Sequence, residues 1–197
     1  MQDYQQKLDI ISRVRGEVMG RKEQTGVNLF LVWGYPTVFV LLLEFAGLMI
    51  WHENWCSWLW AGVPLIGGPL MAYFVNKDYE RTHNQSLEQS IAIQLWLFIA
   101  AACCIGGFTT GYAGVFEQCY CTFEGVLISL GCFLTGVISR FRPMRVCGII
   151  GAVLSFACLF LQDNLWPWQL IIVVVVAVIA LIIPGHLSRS YVKRQKR

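Results

Sequence analysis

The chain has 197 residues, of which 56% are hydrophobic and only 14% are charged. Soluble domains carry about 25% charged residues, so this composition excludes an ordinary soluble domain. The mean hydropathy of +0.56 and the small net charge of +3 together indicate an integral membrane protein with a slight basic excess.

The first predicted unit, residues 1–27, is a polar cytoplasmic segment. Leu8, Ile11, Val14 and Val18 recur in it at helical spacing. This pattern predicts a short amphipathic helix on the cytoplasmic membrane surface. Packing of the same helix against the inner loops is the alternative. Because the segment has no apolar h-region, we expect no cleavable signal peptide, and the first span would act as the anchor.

Six apolar runs follow, of about the length that a helix needs to cross a ~30 Å hydrocarbon layer. Lipid offers the backbone no hydrogen-bond partners, so these runs are predicted to be helices. The fold class is therefore an all-α polytopic bundle over residues 28–184. Spans four and five are short and glycine-rich, so a re-entrant pair is the alternative there. The predicted spans are 28–50, 58–75, 91–112, 123–139, 146–162 and 165–184.

Lysine and arginine residues indicate the orientation of these spans. Five precede span one, two lie between spans two and three, three lie between spans four and five, and five follow span six, which accounts for all 15. Positive residues are retained in the cytoplasm. The pattern predicts six crossings of a bacterial cytoplasmic (inner) membrane, with both termini cytoplasmic and three short outer loops.

The cytoplasmic tail, residues 185–197, carries a dense basic cluster and no acidic residue. Such juxtamembrane clusters attract anionic lipid, and a plain topological role is the simpler alternative. We expect no nucleic-acid binding, because the tail has no fold to present its charges. The residues of the cluster are Arg189, Lys193, Arg194, Lys196 and Arg197.

Glu44 interrupts the apolar stretch FVLLLEFAGLM of span one. An ionised carboxylate at that depth costs a few kcal/mol unless it is paired, hydrated or neutralised. One hypothesis makes Glu44 a proton- or cation-binding group in a pathway. The other makes it a structural residue that is hydrogen-bonded to polar groups of other helices. We expect no charged partner for Glu44 in another span and no pair of carboxylates.

Cysteine supplies the second set of candidates. Five of the eight cysteines fall within predicted spans, whereas Cys56, Cys119 and Cys121 fall in or beside outer loops. In an oxidising compartment Cys56 could form a disulfide with either of the other two. Thiol exchange at the Cys119-x-Cys121 motif is a weaker alternative, and a metal site with His52 is weaker still. We expect no metal and no cofactor.

Glycine and proline predict how the helices pack. Small residues let transmembrane helices approach closely, so the glycine-rich spans three, four and five are expected to form the tight centre of the bundle. Span two contains GVPLIGGPL, with two prolines and three glycines. That composition predicts a kinked or broken helix.

Three stretches of the first half carry a resemblance. They are VWGY (Val32–Tyr35), WLWAGVPLIGGPLMAYF (Trp58–Phe74) and IQLWLF (Ile93–Phe98). On these stretches the chain resembles a family of bacterial six-span integral membrane proteins to which no activity is assigned. The resemblance implies the six-span fold and implies no reaction and no site residue.

The leading functional hypothesis is a non-enzymatic accessory, sensory or regulatory membrane subunit. It would work within the lipid bilayer through an unidentified membrane partner or as a homo-oligomer. The first alternative is a small secondary transporter or channel with Glu44 as its coupling residue. The second alternative is a thiol-active membrane protein that uses Cys119 and Cys121. The motifs of common hydrolases, P-loop proteins and dinucleotide-binding proteins are absent from the sequence.

Overall fold

The computed structural model is all-helical, with no strand in the part of the chain that it describes. The all-α prediction is therefore confirmed for these residues. The N-terminal amphipathic segment, Cys56 and the last two residues of the basic tail lie outside them. The structure describes residues 30–51, 59–60, 62–82, 87–113, 117–161, 165 and 167–195.

Seven α-helices follow one another along the described chain. The first helix, α1, spans Phe30–Trp51. The remaining helices are α2 (Gly62–Thr82), α3 (Leu87–Ala113), α4 (Glu117–Ile138), α5 (Arg142–Ser155), α6 (Pro167–Ala177) and α7 (Ile183–Gln195). A 3₁₀ turn (Phe156–Phe160) extends α5, and a π-helical segment (Val178–Ile182) joins α6 to α7.

Five of the described helical stretches are long and apolar enough to cross a membrane. They are Phe30–Trp51, Ser90–Thr109, Cys119–Ile138, Arg142–Phe160 and Pro167–Tyr191. Spans four and five are both among them, so each has the length to cross by itself. The apolar part of α2, Gly62–Phe74, is shorter. The described helices thus fit a membrane protein, and the sixth crossing stays a prediction.

Helix α2 is continuous, which corrects the prediction of a break in span two. It begins at Gly62, so Pro64 lies in its first turn, where a backbone N–H has no helical acceptor in any case. Pro69 stands inside the helix, yet the helix continues to Thr82. The break is therefore wrong, and a kink at Pro69 stays a prediction.

The last span contains a π-helical segment with a local cause. Pro184 has no N–H to donate to the carbonyl of Ala180, and its ring crowds that carbonyl. The helix widens to π geometry over Val178–Ile182, directly before the proline, and then continues as α7 to Gln195. The predicted end of the span at residue 184 is therefore not an end of the helix.

Helices α4 and α5 form a hairpin in which glycines allow backbone contact. A Cβ placed on Gly148 of α5 would lie 2.7 Å from the amide nitrogen of Phe133 and 2.8 Å from the carbonyl oxygen of Ser129. A Cβ placed on Gly136 of α4 would lie 2.8 Å from the amide nitrogen of Arg145. No larger residue fits at this separation, which accounts for the glycine content of these two spans.

The turn of this hairpin is short and is closed by backbone hydrogen bonds. Phe141 N–H donates to the Gly136 carbonyl at 3.0 Å, and Arg140 N–H donates to the Val137 carbonyl at 3.2 Å. This is the hydrogen-bond pattern of a Schellman helix end. Arg140 takes the left-handed position with φ 55, where glycine is the usual residue.

Candidate intramembrane carboxyl site

Glu44 faces the interior of the bundle. It is 3% exposed, and Val40 and Leu48, one turn away on either side, are buried with it. Leu42 and Leu43, on the opposite face of α1, are exposed to the surroundings of the bundle. The helical period therefore places the carboxyl group on the buried face of α1.

A second glutamate, Glu124 of α4, is also buried and has no exposed surface at all. Glu124 lies seven residues after Glu117, where α4 begins, and Glu44 lies seven residues before Trp51, where α1 ends. At 1.5 Å per residue, each carboxyl-bearing residue is about 10 Å from the adjoining helix end. In the predicted topology these two helix ends lie on the same side of the membrane, so the two residues share one depth.

The two carboxyl groups belong to one electrostatic cluster. Glu44 is close enough to Glu124 for their charges to interact. Two neighbouring carboxyl groups out of water repel each other when both are ionised. The other titratable groups that interact with Glu124 come from α3, α4 and the 3₁₀ turn and are Cys103, Tyr120, Cys121 and Cys158.

Glu124 has no hydrogen-bond partner among the described residues for either of its carboxyl oxygens. Buried carboxyl groups in proteins are nearly always hydrogen-bonded to protein or water. The side chain borders a cavity of about 40 Å³ between α1, α2, α3, α4 and the π-helical segment. One water molecule needs about 10–15 Å³ of such volume, so the cavity has room for about three.

Three tryptophans, Trp33, Trp60 and Trp96, line this cavity, and each has a fixed neighbour. The Trp96 indole donates to Thr135 Oγ1 at 3.1 Å. Trp60 packs edge-on against Tyr120 with ring centroids 6.3 Å apart. The remaining ring, Trp33, lies over Gly67, where a Cβ would come within 2.8 Å of it. The three aromatic rings of the cavity wall are therefore held in place.

Tyr120 connects α4 to α3 one turn before Glu124. Its hydroxyl donates to the Cys103 carbonyl at 3.0 Å. Gly107 makes room for the phenol, because a Cβ there would lie 2.8 Å from the Tyr120 oxygen. The glycines of GGFTTG thus leave room for the Tyr120 ring. The contact of this ring with α3 holds the turn of α4 that carries Glu124.

The prediction that Glu44 has no charged partner in another span is wrong. Predicted span four begins at residue 123 and has Glu124 as its second residue, so this glutamate was within the prediction. Helix α4 instead begins at Glu117 and carries Glu124 two turns inward. The available signal was the helical phase, since Cys121, Ile128 and Cys132 are buried with Glu124 on one face.

The two predicted redox cysteines lie in the first two turns of α4 and point in different directions. Cys119 is exposed, whereas Cys121 is 5% exposed and belongs to the buried cluster that also contains Leu41 and Cys158. Residues two apart on a helix do not share a face. Both are free thiols in the described part of the chain, and their predicted pairing with Cys56 stays a prediction.

The described residues hold no group of three or more His, Cys, Asp or Glu side chains that could bind a metal ion. No family model, no curated protein and no solved structure matches the chain. The resemblance to the six-span family therefore stays a prediction.

Proposed function

We propose that this protein is a small secondary transporter or channel whose proton- or cation-binding site is the Glu44–Glu124 pair. The observation that carries the proposal is the carboxyl group of Glu124. It is fully buried, lacks a hydrogen-bond partner among the described residues and borders a cavity with room for water. Ionisable residues inside membrane bundles commonly mark ion or proton pathways.

A structural role explains this arrangement less well. A carboxyl group that only holds helices together is expected to donate and accept hydrogen bonds within the bundle. Thr135 and Ser155 do this, because their hydroxyl groups donate to carbonyls of their own helices at 2.7 and 2.8 Å. Neither carboxyl oxygen of Glu124 has such a partner among the described residues, and the side chain borders a cavity, an arrangement that a proton-exchanging group can use.

The membrane arrangement belongs to the same proposal. Six crossings of a bacterial inner membrane, with both termini cytoplasmic, follow from the charge distribution along the chain. This orientation puts the carboxyl pair nearer the outer face and the basic tail at the inner face, where it can contact anionic lipid. The short α2 then crosses only with the help of its polar C-terminal half.

The test is an infrared titration of the purified protein in lipid. The protonated-carboxyl band is followed across pH in the native chain, in Glu44→Gln and in Glu124→Gln. We expect one component of the band that changes with pH in the native chain, is reduced in each variant and is absent from the double variant, while the other ten Asp and Glu side chains contribute the same signal throughout. Each single variant is also expected to shift the titration of the remaining carboxyl, because the two charges interact.

A carboxyl band that stays constant at every pH would contradict the proposal. The pair would then be a neutral structural element that water does not reach. In that case the accessory or regulatory hypothesis would become the better one, and co-purification of a membrane partner would be its test. Ser129→Ala is the control for folding, because it removes another buried side-chain oxygen of α4 and leaves both carboxyl groups of the pair in place.

A further inference from the structure

The cavity beside Glu124 has the chemistry of a site for a particular kind of ion. We propose that it binds a small ammonium cation of the size of methylammonium, with the Glu124 carboxylate as its counter-charge and the indole of Trp60 as its aromatic wall. This inference rests on the proposed function and names the substrate class of the same site. Binding of the cation to Glu124 would release the proton of that carboxyl group to water.

The lining argues for an ammonium ion rather than for an alkali or divalent ion. Of the described side chains that line the cavity, only Thr37 and Glu124 carry an oxygen atom. Metal cations such as Mg²⁺ or Ca²⁺ need six or more oxygen ligands. An ammonium group is instead satisfied by one carboxylate and by the face of an aromatic ring, and tryptophan is the best such ring.

The volume restricts the size of the cation. About 40 Å³ corresponds to about three water molecules. Methylammonium fits such a space, and tetramethylammonium is too bulky for it unless the helices move apart. The wall is also rigid, because Trp96 is hydrogen-bonded to Thr135 and Trp33 is seated on Gly67. We therefore expect strong selection by size.

The position of the site explains why two glutamates are present where one could bind the ion. Glu124 borders the cavity, whereas Glu44 is buried on α1 and is not among the described residues of the cavity wall. When Glu124 carries a cation, the charge of Glu44 adds to the attraction or is cancelled by a proton. Glu44 thus tunes the site without touching the ligand.

The experiment measures binding of radiolabelled methylammonium to the full chain in lipid nanodiscs. We expect saturable binding that unlabelled ammonium displaces, and we expect little displacement by sodium or tetramethylammonium. Glu124→Gln should weaken binding by about thirtyfold or more, because a buried counter-charge is lost. Trp60→Leu should weaken it by about threefold to thirtyfold through the lost aromatic face.

A matched pair of variants tests the cavity without changing any charge. Ala100 lines the cavity, and Ala100→Leu fills it. Its neighbour Ala101 is exposed on the outer face of α3, so Ala101→Leu adds the same atoms elsewhere. We expect the first variant to abolish methylammonium binding and the second to leave it unchanged. Equal binding by both variants would overturn the inference even if Glu124→Gln failed to fold.

The two proposals fail in different ways. No saturable methylammonium binding, together with a carboxyl band that titrates, would overturn the ammonium site and leave proton binding by the pair. Displacement by sodium as strong as that by ammonium would assign the cavity to alkali ions and overturn the substrate class. A carboxyl band that never titrates would overturn the proposed function, whatever binds.

Discussion

The α4–α5 hairpin and the cavity side of the bundle solve the same packing problem in opposite ways. In the hairpin, glycines bring two backbones into contact, and even one added methyl group would meet backbone atoms at 2.7–2.8 Å. On the cavity side, α1, α2 and α3 meet through tryptophan rings, and a space of about 40 Å³ is left between them.

The difference shows where a membrane bundle can place a polar group. Backbone contact leaves no room for a carboxyl group or for the water that it requires. Large rigid rings on neighbouring helices cannot fill every gap between them, and the residual space can solvate a carboxyl group. Glu124 belongs to the hairpin by its helix and to the cavity by its side chain, so it lies at the border of the two regions.

The strongest test of the comparison adds one methyl group to each region in turn. Gly148→Ala in the hairpin should lower the free energy of unfolding by about 3 kcal/mol, because the obstructing atoms are backbone atoms that cannot rotate away. A Cβ at Gly68 of α2 would meet no described atom within 4 Å. Gly68→Ala should therefore be neutral or stabilise by about 0.5–1 kcal/mol through helix propensity.

Both variants can be compared by unfolding in mixed detergent micelles, with circular dichroism as the signal. Similar midpoints for the two variants would mean that the α4–α5 contact is not as close as the structure has it.

The buried carboxyl group of Glu124, at the border of the two regions, should lower the free energy of unfolding. Glu124→Leu should raise the free energy of unfolding by about 1–2 kcal/mol, because a buried ionisable group is replaced by an apolar one of similar volume. The same variant should lose the titrating carboxyl signal of residue 124. A loss of stability in this variant would show that Glu124 is held by bonds within the protein, and the structural hypothesis would gain.

The wall of the cavity has one hydrogen bond that can be measured by itself. Trp96→Phe removes the bond from the Trp96 indole to Thr135 Oγ1, which is 3.1 Å long and buried, and should cost about 1 kcal/mol. Thr135→Val removes the other partner, and the double variant completes a thermodynamic cycle. A coupling energy of about 0.5–1.5 kcal/mol is expected for a real bond, and strict additivity would argue against it.

Substitution in the turn of the α4–α5 hairpin should have the smallest effect on stability. Arg140 has φ 55, a conformation that costs an L-residue about 1–2 kcal/mol. Arg140→Gly relieves this cost but loses more backbone entropy on folding, so the net gain should be about 0.5 kcal/mol. Arg140→Ala is the control, because it removes the same charge and keeps the strain. Unfolding midpoints of the two variants give the difference directly.

The sequence was enough to predict the helices, because the length and hydropathy of a run decide whether it can cross lipid without help from any other residue. It also predicted Glu44 as a candidate, since a charge in the middle of such a run needs an explanation. The glycines of spans four and five predicted a close contact for the same local reason, a missing side chain.

The sequence did not predict that Glu124, the second residue of predicted span four, interacts with Glu44, and it placed the start of α4 six residues too late. A hydropathy pattern ends a span where the charges begin, whereas a folded bundle can bury a charge beside a cavity. The continuity of α2 through Pro69 was missed for a similar reason, since neighbouring helices can support a turn that lacks one hydrogen bond.

Local composition thus determined that this chain forms apolar helices and where most of them lie. Only the tertiary structure decided that two glutamates 80 positions apart in the sequence interact and that three tryptophans help to line a cavity beside one of them. It also decided which cysteine of the Cys119-x-Cys121 motif faces inward. The physical reason is that burial and pairing are properties of contacts between helices, and those contacts depend on how each helix is rotated against its neighbours.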